Sequence, residues 1–409
     1  MVTPRDVIGQ RSETVRRANL SAIIRELHVR GPQSRSELVL RTGLTRSAIR
    51  GLIGELVAAD LVAEQRSAPA GTPGRPSPLV RPRDDQAVVL ALEANVDSLA
   101  IAVVGLGGRI HHLARVDRPR AHVDVDEIVA DLLELAGPLL PGLRHSEALV
   151  GIGVAAAGIV RRTDGVVRHA PNLGWRDVPL GERLSHALAL DAPLWMANEA
   201  DLGGLAEHRR GAAAHVDDVV YVMGEVGVGG NVTVGGQPLV GSAGYAAEVG
   251  HMAVNPAGAP CGCGSFGCWE TEIGERAILV RAGRDPDGGR EAVTELIDAA
   301  IAGEPAARAA LEEVATWLGV GLATLVNVFN PSMVVLGGVF ERIHPLVGAT
   351  VERTLAERSM PASGELVRVV PGRLGVDGPI LGAAELAFEE LLADPGARIR
   401  PRPMAAAGG

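Results

Sequence analysis

The chain has 409 residues, of which 47% are apolar and 22% charged, with a formal net charge of −10. That length leads us to expect two or three domains with full apolar cores, and excludes a small disulfide-stapled scaffold. No uncharged apolar run reaches the ~20 residues of a membrane helix and no signal-peptide pattern opens the chain, so the expected setting is cytoplasmic, with no membrane partner.

Charge is unevenly placed. Residues 1–83 hold 14 Arg against 7 acidic residues, a balance of +7, whereas the rest holds 25 Arg against 42 acids, or −17. A basic head on an acidic body suggests that the head alone meets a polyanion. Within it, Leu20, Ile23, Ile24 and Leu27 recur at helical spacing, and Gly31-Pro32 ends that helix. Ser34 and Glu37 then form a capping box that opens a second helix containing Leu38, Val39 and Leu40. Thr42-Gly43-Leu44-Thr45 predicts a tight turn, with Gly43 left-handed and Thr45 an N-cap. The third helix should bury Ile49, Leu52, Ile53, Leu56 and Val57 while Arg46, Ser47 and Arg50 face outward, where a recognition helix meets base edges. Leu61-Val62 starts a strand, and the Pro/Gly-rich stretch 68–78 follows, with Gly74-Arg75-Pro76 as a wing tip placing Arg75 in a minor groove. An interdomain linker with an incidental Arg is the alternative for that stretch. The head, residues 1–83, thus reads as a winged helix-turn-helix that binds DNA.

Residues 84–395 read as an α/β body of two lobes. Val88–Leu92 and Leu99–Val104 lead into a Gly107-Gly108 turn, and Val219–Met223 with Val232–Val234 repeat that plan before Gly235-Gly236. Gly151–Gly158 extends the first lobe, and Met333–Gly338 extends the second as a buried strand running into a glycine turn. A cleft between two lobes is a usual place for a small ligand. Residues 396–409, rich in Pro, Ala and Gly, read as a disordered tail.

The three cysteines fall within eight residues, Cys261, Cys263 and Cys268, with His251 ten positions upstream. An odd, clustered set argues against disulfides and for thiolates on a metal. Three sulfurs and one imidazole suit a closed tetrahedral site holding one structural Zn²⁺, and Gly262, Gly264 and Gly267 would let so short a loop turn its sulfurs inward. Buried free cysteines are the alternative.

His251 followed by Cys261-x-Cys263-Gly-x-x-Gly-Cys268-x-Glu270 is similar to the signature of the ROK family (repressors, open reading frames and kinases). Pro171-Asn172-Leu173-Gly174-Trp175, Asn198-Glu199-Ala200-Asp201, Glu248-Val-Gly-His251 and Leu336-Gly337-Gly338 agree with it. The resemblance spans nearly the whole chain, since the repressor branch carries an N-terminal winged helix before a two-lobe, actin-like body. It implies that Asn172 and Asn198 hydrogen-bond sugar hydroxyls and that Glu248 and Glu270 accept from them. It also implies that His251 binds zinc through one ring nitrogen while the other faces the sugar, and that Glu199, at the kinase base position, is a sugar contact as well. Taken singly, Asn172 and Asn198 could instead be turn formers and Glu270 a helix cap.

The kinases of the family follow their first strand with a D-x-G-G-T turn, whose glycines let backbone amides approach phosphate. This chain reads Leu92-Glu93-Ala94-Asn95-Val96-Asp97-Ser98, in which both glycines are absent. The second glycine loop, Gly224–Gly230, carries Glu225 where a phosphate would be repelled. The expected function is therefore a sugar-responsive DNA-binding regulator, a homodimer or homotetramer acting on operator DNA, with phosphoryl transfer lost and no catalytic residue. A sugar kinase with an appended DNA-binding head is the alternative, and a protein effector is a third possibility.

Overall fold

The computed structural model describes residues 12–65, 78–120 and 124–398. Its head contains α1 (Ser12–Arg30), β1 (Gln33–Ser34), α2 (Arg35–Thr42), α3 (Arg46–Ala58), β2 (Val62–Gln65) and β3 (Leu79–Pro82), with the strands ordered β1-β3-β2. Local chemistry sets these boundaries. Glu37 N–H donates to Ser34 Oγ (3.2 Å) while Ser34 N–H donates to Glu37 Oε2 (2.7 Å), closing the capping box. Gly43 takes the left-handed conformation at φ 69°, and Thr45 accepts from Ala48 N–H. Replacing Ser34 by Ala should cost about 1 kcal/mol, read as a lowered urea midpoint at unchanged m-value.

The head core closes over Leu20, Ile23, Ile24, Leu27, Leu38, Ile49, Ile53 and Leu56. Two expectations about apolar residues change. Val57 is 40% exposed because it lies one residue past the buried 49-52-53-56 stripe, and Leu40 on α2 is 84% exposed. The antiparallel pairing of β2 with β3 (Gln65 opposite Leu79) brings together the two ends of the proposed wing, but Arg75 itself lies outside the described residues.

The body is mixed α/β. Its first lobe runs β4 (Val88–Ala94), β5 (Ser98–Gly105), β6 (Arg109–Asp117), α4 (Val125–Ala136), α5 (Leu140–Arg144) and β7 (Leu149–Ala156). It continues with a small sheet of β8 (Ile159–Arg161), β9 (Val166–Ala170) and β10 (Trp175–Val178), then α6 (Leu180–Leu188), β11 (Leu194–Asn198) and α7 (Glu199–Arg210). The second lobe has β12 (Val219–Gly224), β13 (Val228–Val234), β14 (Gln237–Pro238), α8 (Glu270–Ile273), α9 (Glu275–Arg281), α10 (Gly289–Ile301) and α11 (Pro305–Phe329). It ends with β15 (Met333–Gly338), α12 (Val339–Arg358), α13 (Pro361–Gly364) and β16 (Arg368–Pro371), after which α14 (Gly378–Ala393) returns to the first lobe.

The five-stranded sheets are ordered β11-β7-β4-β5-β6 and β16-β15-β12-β13-β14. Each places an antiparallel three-strand unit beside two parallel strands, so the two lobes share one topology. Both faces of the first sheet are buried, which is why β4 reads as a continuous apolar run: Val88, Leu90 and Leu92 enter one core, Val89 and Ala91 the other. The glycines of Gly151-Ile-Gly153 admit α14, since a Cβ on Gly153 would stand 1.9 Å from the Ala383 carbonyl oxygen.

Among the described residues α11 alone is long and apolar enough to cross a membrane; Leu311, Val314, Leu318, Leu322 and Leu325 instead build the second lobe's core. At the C-terminal end, Pro395–Arg398 forms a 3₁₀ turn, with Arg398 donating to the Gln86 carbonyl (2.6 Å). Order thus reaches three residues into the segment expected to be a tail, and residues 399–409 lie outside the described part.

Candidate functional site

Parallel strands present their carboxyl ends at one edge of a sheet, where an open α/β architecture gathers ligands. Here β4, β7 and β11 end at Ala94, Ala156 and Asn198 in one register, and the cleft they open onto is closed from the other lobe by the loop after β12. Asn172, Asn198, Glu199, Glu248, His251 and Glu270 all line this one pocket, so all six expected sugar contacts are brought together.

Their local roles differ. Asn198 caps α7: Oδ1 accepts from Ala200 N–H (2.7 Å) and Asp201 N–H (3.3 Å), and Nδ2 donates to the Gly158 carbonyl and Glu199 Oε2 (both 2.9 Å). Its polar atoms are therefore occupied by the chain, and a ligand reaches it only by displacing the Glu199 bond. Asn172, exposed in the 3₁₀ turn Pro171–Leu173, is free of that commitment. Glu270 opens α8, and its Oε2 accepts from Val228 N–H (3.0 Å) while packing over Gly227, where a Cβ would come within 2.4 Å. It thereby ties the cysteine loop to the second glycine loop.

Burial pushes the Glu199 carboxyl up to about 8, with Glu248, Glu93 and Glu225 adding repulsion against a bond from its own backbone amide. Glu248, open to solvent on one side, is pushed up to about 7 by burial and by Asp201 and Glu270. An acid raised on folding binds protons more tightly in the native state, so its stabilising contribution is full below about 4.5 and is lost as pH rises toward 8. Glu199→Gln should therefore stabilise the chain at pH 8 relative to pH 5, by on the order of 2 kcal/mol after solvent screening. Paired urea titrations at the two pH values check this; equal differences would contradict it.

Beside the pocket, His251, Cys261, Cys263 and Cys268 place one ligand atom each within 4.8 Å of one another. Cys263 Sγ and Cys268 Sγ are 3.6 Å apart, and Cys261 Sγ lies 3.6 Å from His251 Nδ1. A tetrahedral ion with Zn–S bonds of about 2.3 Å sets sulfurs about 3.8 Å apart, so the donor set fits a metal. Gly264 (φ 92°) and Gly267 (φ 65°) supply the turns, and a Cβ on Gly267 would strike the Asn255 carbonyl oxygen at 1.6 Å. Gly262 needs no such freedom: its backbone is ordinary, and a Cβ there would meet only Pro171 at 3.8 Å.

Where a kinase would cradle phosphate, Asn95 N–H donates to the Ser98 carbonyl (3.0 Å) and Asn95 Oδ1 accepts from Val96 N–H (2.7 Å). Asp97, buried, pairs with Arg120 (2.7 Å) and with Arg290 of the second lobe (2.7 Å), and Arg120 Nη2 also reaches Glu275 (2.8 Å). Arg290 Nη2 lies 3.6 Å from Glu225, whose carboxyl burial pushes up to about 7. Sequence reading missed Arg120, Glu275 and Arg290; the Asp97–Arg290 pair spans 193 positions, and no local pattern announces it.

On the head, Arg46, Ser47 and Arg50 are exposed at the start of α3, as expected of a recognition surface. Neither arginine forms an ion pair among the described residues, although Ser47 Oγ lies 3.1 Å from Thr45 Oγ1.

The family model of the ROK family matches residues 89–390, most of the chain. The chain belongs to the ROK family. Among curated ROK relatives, the xylose repressor of Bacillus spizizenii is 26% identical over 92% of this chain and 97% of its own length. A solved ROK family transcriptional regulator, a homologue of the Escherichia coli Mlc protein, covers 94% of this chain and 99% of its own with TM-score 0.76 at 24% identity, which shows a shared fold. A ROK glucokinase of Streptomyces griseus, solved with glucose and AMPPNP, covers 74% of this chain and all of its own with TM-score 0.64 at 28% identity. The body is thus the two-lobe, actin-like fold of the sugar kinases, and the head is shared with the repressors.

Proposed function

We propose that this chain is a sugar-responsive, DNA-binding transcriptional repressor that has lost phosphoryl transfer. The observation that carries the reading is the ion-paired carboxylate of Asp97, held by Arg120 and Arg290 where a phosphate cradle would need open backbone amides. The Asn95 and Val96 amides are already committed to the Ser98 carbonyl and to Asn95 Oδ1, and Asp97 engages the two arginines that would otherwise draw in a nucleotide triphosphate. Alignment with a repressor through the head as well as the body supports the same reading.

In this account Asn172, Glu248 and Glu270 meet sugar hydroxyls directly, and Glu199, protonated near neutral pH, can donate as well as accept. Asn198 serves chiefly by fixing Glu199 and the start of α7. His251, Cys261, Cys263 and Cys268 hold one structural zinc; with Nδ1 of His251 turned to the thiolates, Nε2 is left for the sugar. When bound, the ion supplies a rigid floor, with no role in bond breaking. Arg46, Ser47 and Arg50 read the major groove, and two copies of the chain present two such helices to a palindromic operator. Residues 1–83 then form the DNA-binding unit and 84–395 the sensor.

Incubation of the pure protein with labelled ATP and a panel of sugars tests the loss of catalysis. The expected result is no sugar phosphate above background; turnover at the usual 1–10³ s⁻¹ of enzymes would overturn it. One observation favours the kinase reading: the carboxyl of Glu199, the residue expected at the base position, is pushed by burial up to about 8, near enough to neutral pH for proton transfer.

A further inference from the structure

Helix α7 has one end in the pocket and the other against the head. It starts at the Asn198 cap and Glu199, and it finishes at Arg209 and Arg210. Its twelve residues span about 18 Å. Both of its sides are packed backbone to neighbour. A Cβ on Gly204 would lie 2.4 Å from Asn231 Cβ of β13, and one on Gly203 would lie 2.9 Å from Tyr221 Oη of β12. On the α14 side, a Cβ on Gly382 would lie 1.9 Å from the Leu202 carbonyl oxygen. Helices in such contact have no slack in which a displacement could be absorbed.

The far end of α7 is fastened to the head through charge. His28 of α1 is 0% exposed and Glu385 of α14 is 2% exposed. Gly107 N–H donates to His28 Nδ1 (3.0 Å), and His28 Nε2 lies 3.0 Å from Glu385 Oε2 and 2.7 Å from Arg210 Nη2. Arg210 Nε donates to Glu385 Oε1 (2.5 Å), and its Nη1 donates to the His28 and Gly107 carbonyls (3.1 and 3.0 Å). Burial alone would raise the Glu385 carboxyl, yet His28 and Arg210, with Arg209, hold it well below the usual carboxylate range. Beside this knot, Glu389 accepts from Arg25 of α1 (3.1 and 2.7 Å) and from Arg209 (2.6 Å). The Phe388 ring packs on His28 with centroids 5.0 Å apart, so the head core and this face of the first lobe are continuous.

We infer that α7 and α14 act as one rigid lever carrying a change at the sugar pocket to the DNA-binding head, through the Arg210–Glu385–His28 knot and the Arg209–Glu389–Arg25 bridge. The inference rests on the repressor reading above. It makes these six side chains positioning residues for the DNA response: they touch neither sugar nor DNA. Buried paired charges have few alternative arrangements, so the knot moves as a unit or breaks.

The test uses the full chain and a labelled DNA selected for tight binding, with anisotropy read without and with unmodified pentoses and hexoses. For the wild type, an effective sugar should change DNA affinity by roughly 5- to 150-fold. Glu389→Gln keeps the side-chain volume at a half-buried site and removes the charge that holds both arginines. It should shrink the sugar-dependent change at least about threefold, while calorimetry gives a sugar affinity within about twofold of wild type. Glu385→Gln should do the same more severely; if it fails to fold, the Glu389 variant still decides. Amide exchange over α1 should respond to sugar in the wild type and lose that response in Glu389→Gln. A Glu389 variant with the full wild-type change overturns the lever alone. A wild-type chain whose DNA affinity no sugar in the panel alters overturns the repressor reading, and the lever with it.

Discussion

Replacing Cys263 by serine should leave a protein without stoichiometric zinc and without a response to sugar. Cys263 is the most exposed of the three cysteines and lines both the metal cluster and the pocket, so the change disturbs little of the apolar core. Serine offers no soft thiolate, and a four-ligand structural site that loses one ligand gives up much of its roughly 10–16 kcal/mol apparent binding free energy. The loop would then rely on its own backbone bonds alone, such as Cys261 N–H to the Ser265 carbonyl (2.8 Å) and Gly264 N–H to the Cys261 carbonyl (3.0 Å), without the proposed ion to hold its sulfurs together. His251 and Glu270 flank that loop, and Glu270 anchors the second glycine loop through Val228. The variant should show less than about a tenth of an equivalent of zinc by elemental analysis, with sugar affinity weakened at least about 100-fold. A zinc-free variant with normal sugar binding would show the metal to be a bystander.

The second large effect is expected on the head. Changing Arg46 and Arg50 together to Ala should weaken operator binding by at least about 100-fold, since each base-reading arginine contributes about 1–3 kcal/mol. Both are exposed at the amino-terminal end of α3, away from the buried Ile49–Leu52–Ile53–Leu56 stripe, so folding should be untouched. Sugar affinity should stay within about twofold. Anisotropy on specific and scrambled DNA separates two roles: lost discrimination marks base contacts, whereas a uniform loss with a shallower salt slope marks phosphate contacts.

How much of this was legible in the sequence follows from how far apart the interacting residues lie. The capping box, the Gly43 turn and the Thr45 cap are interactions over three residues, and each appears where the pattern put it. The His251–Cys268 cluster is also nearly local, and its four ligand atoms converge as the spacing suggested. The repeated strand–hairpin–strand plan anticipated two lobes of one topology. What stayed hidden is long-range. The arginines that pair with Asp97 come from α10 and the segment after β6, and His28 meets Glu385 across 357 positions. Sequence patterns see a residue's own helix or strand, not the partner that folding delivers. Asn198 shows a subtler limit: the same side chain fits a sugar contact and a helix cap, and its hydrogen bonds show the cap.

The central claim is that sugar alone, without nucleotide, changes how tightly this chain holds DNA. The most direct measurement is the dissociation constant for selected operator DNA, by anisotropy at one fixed salt concentration, with and without each sugar and with no ATP present. The account predicts a change of at least about fivefold for one or more sugars. A dissociation constant that no sugar alters, or that responds only when ATP is added, would contradict it.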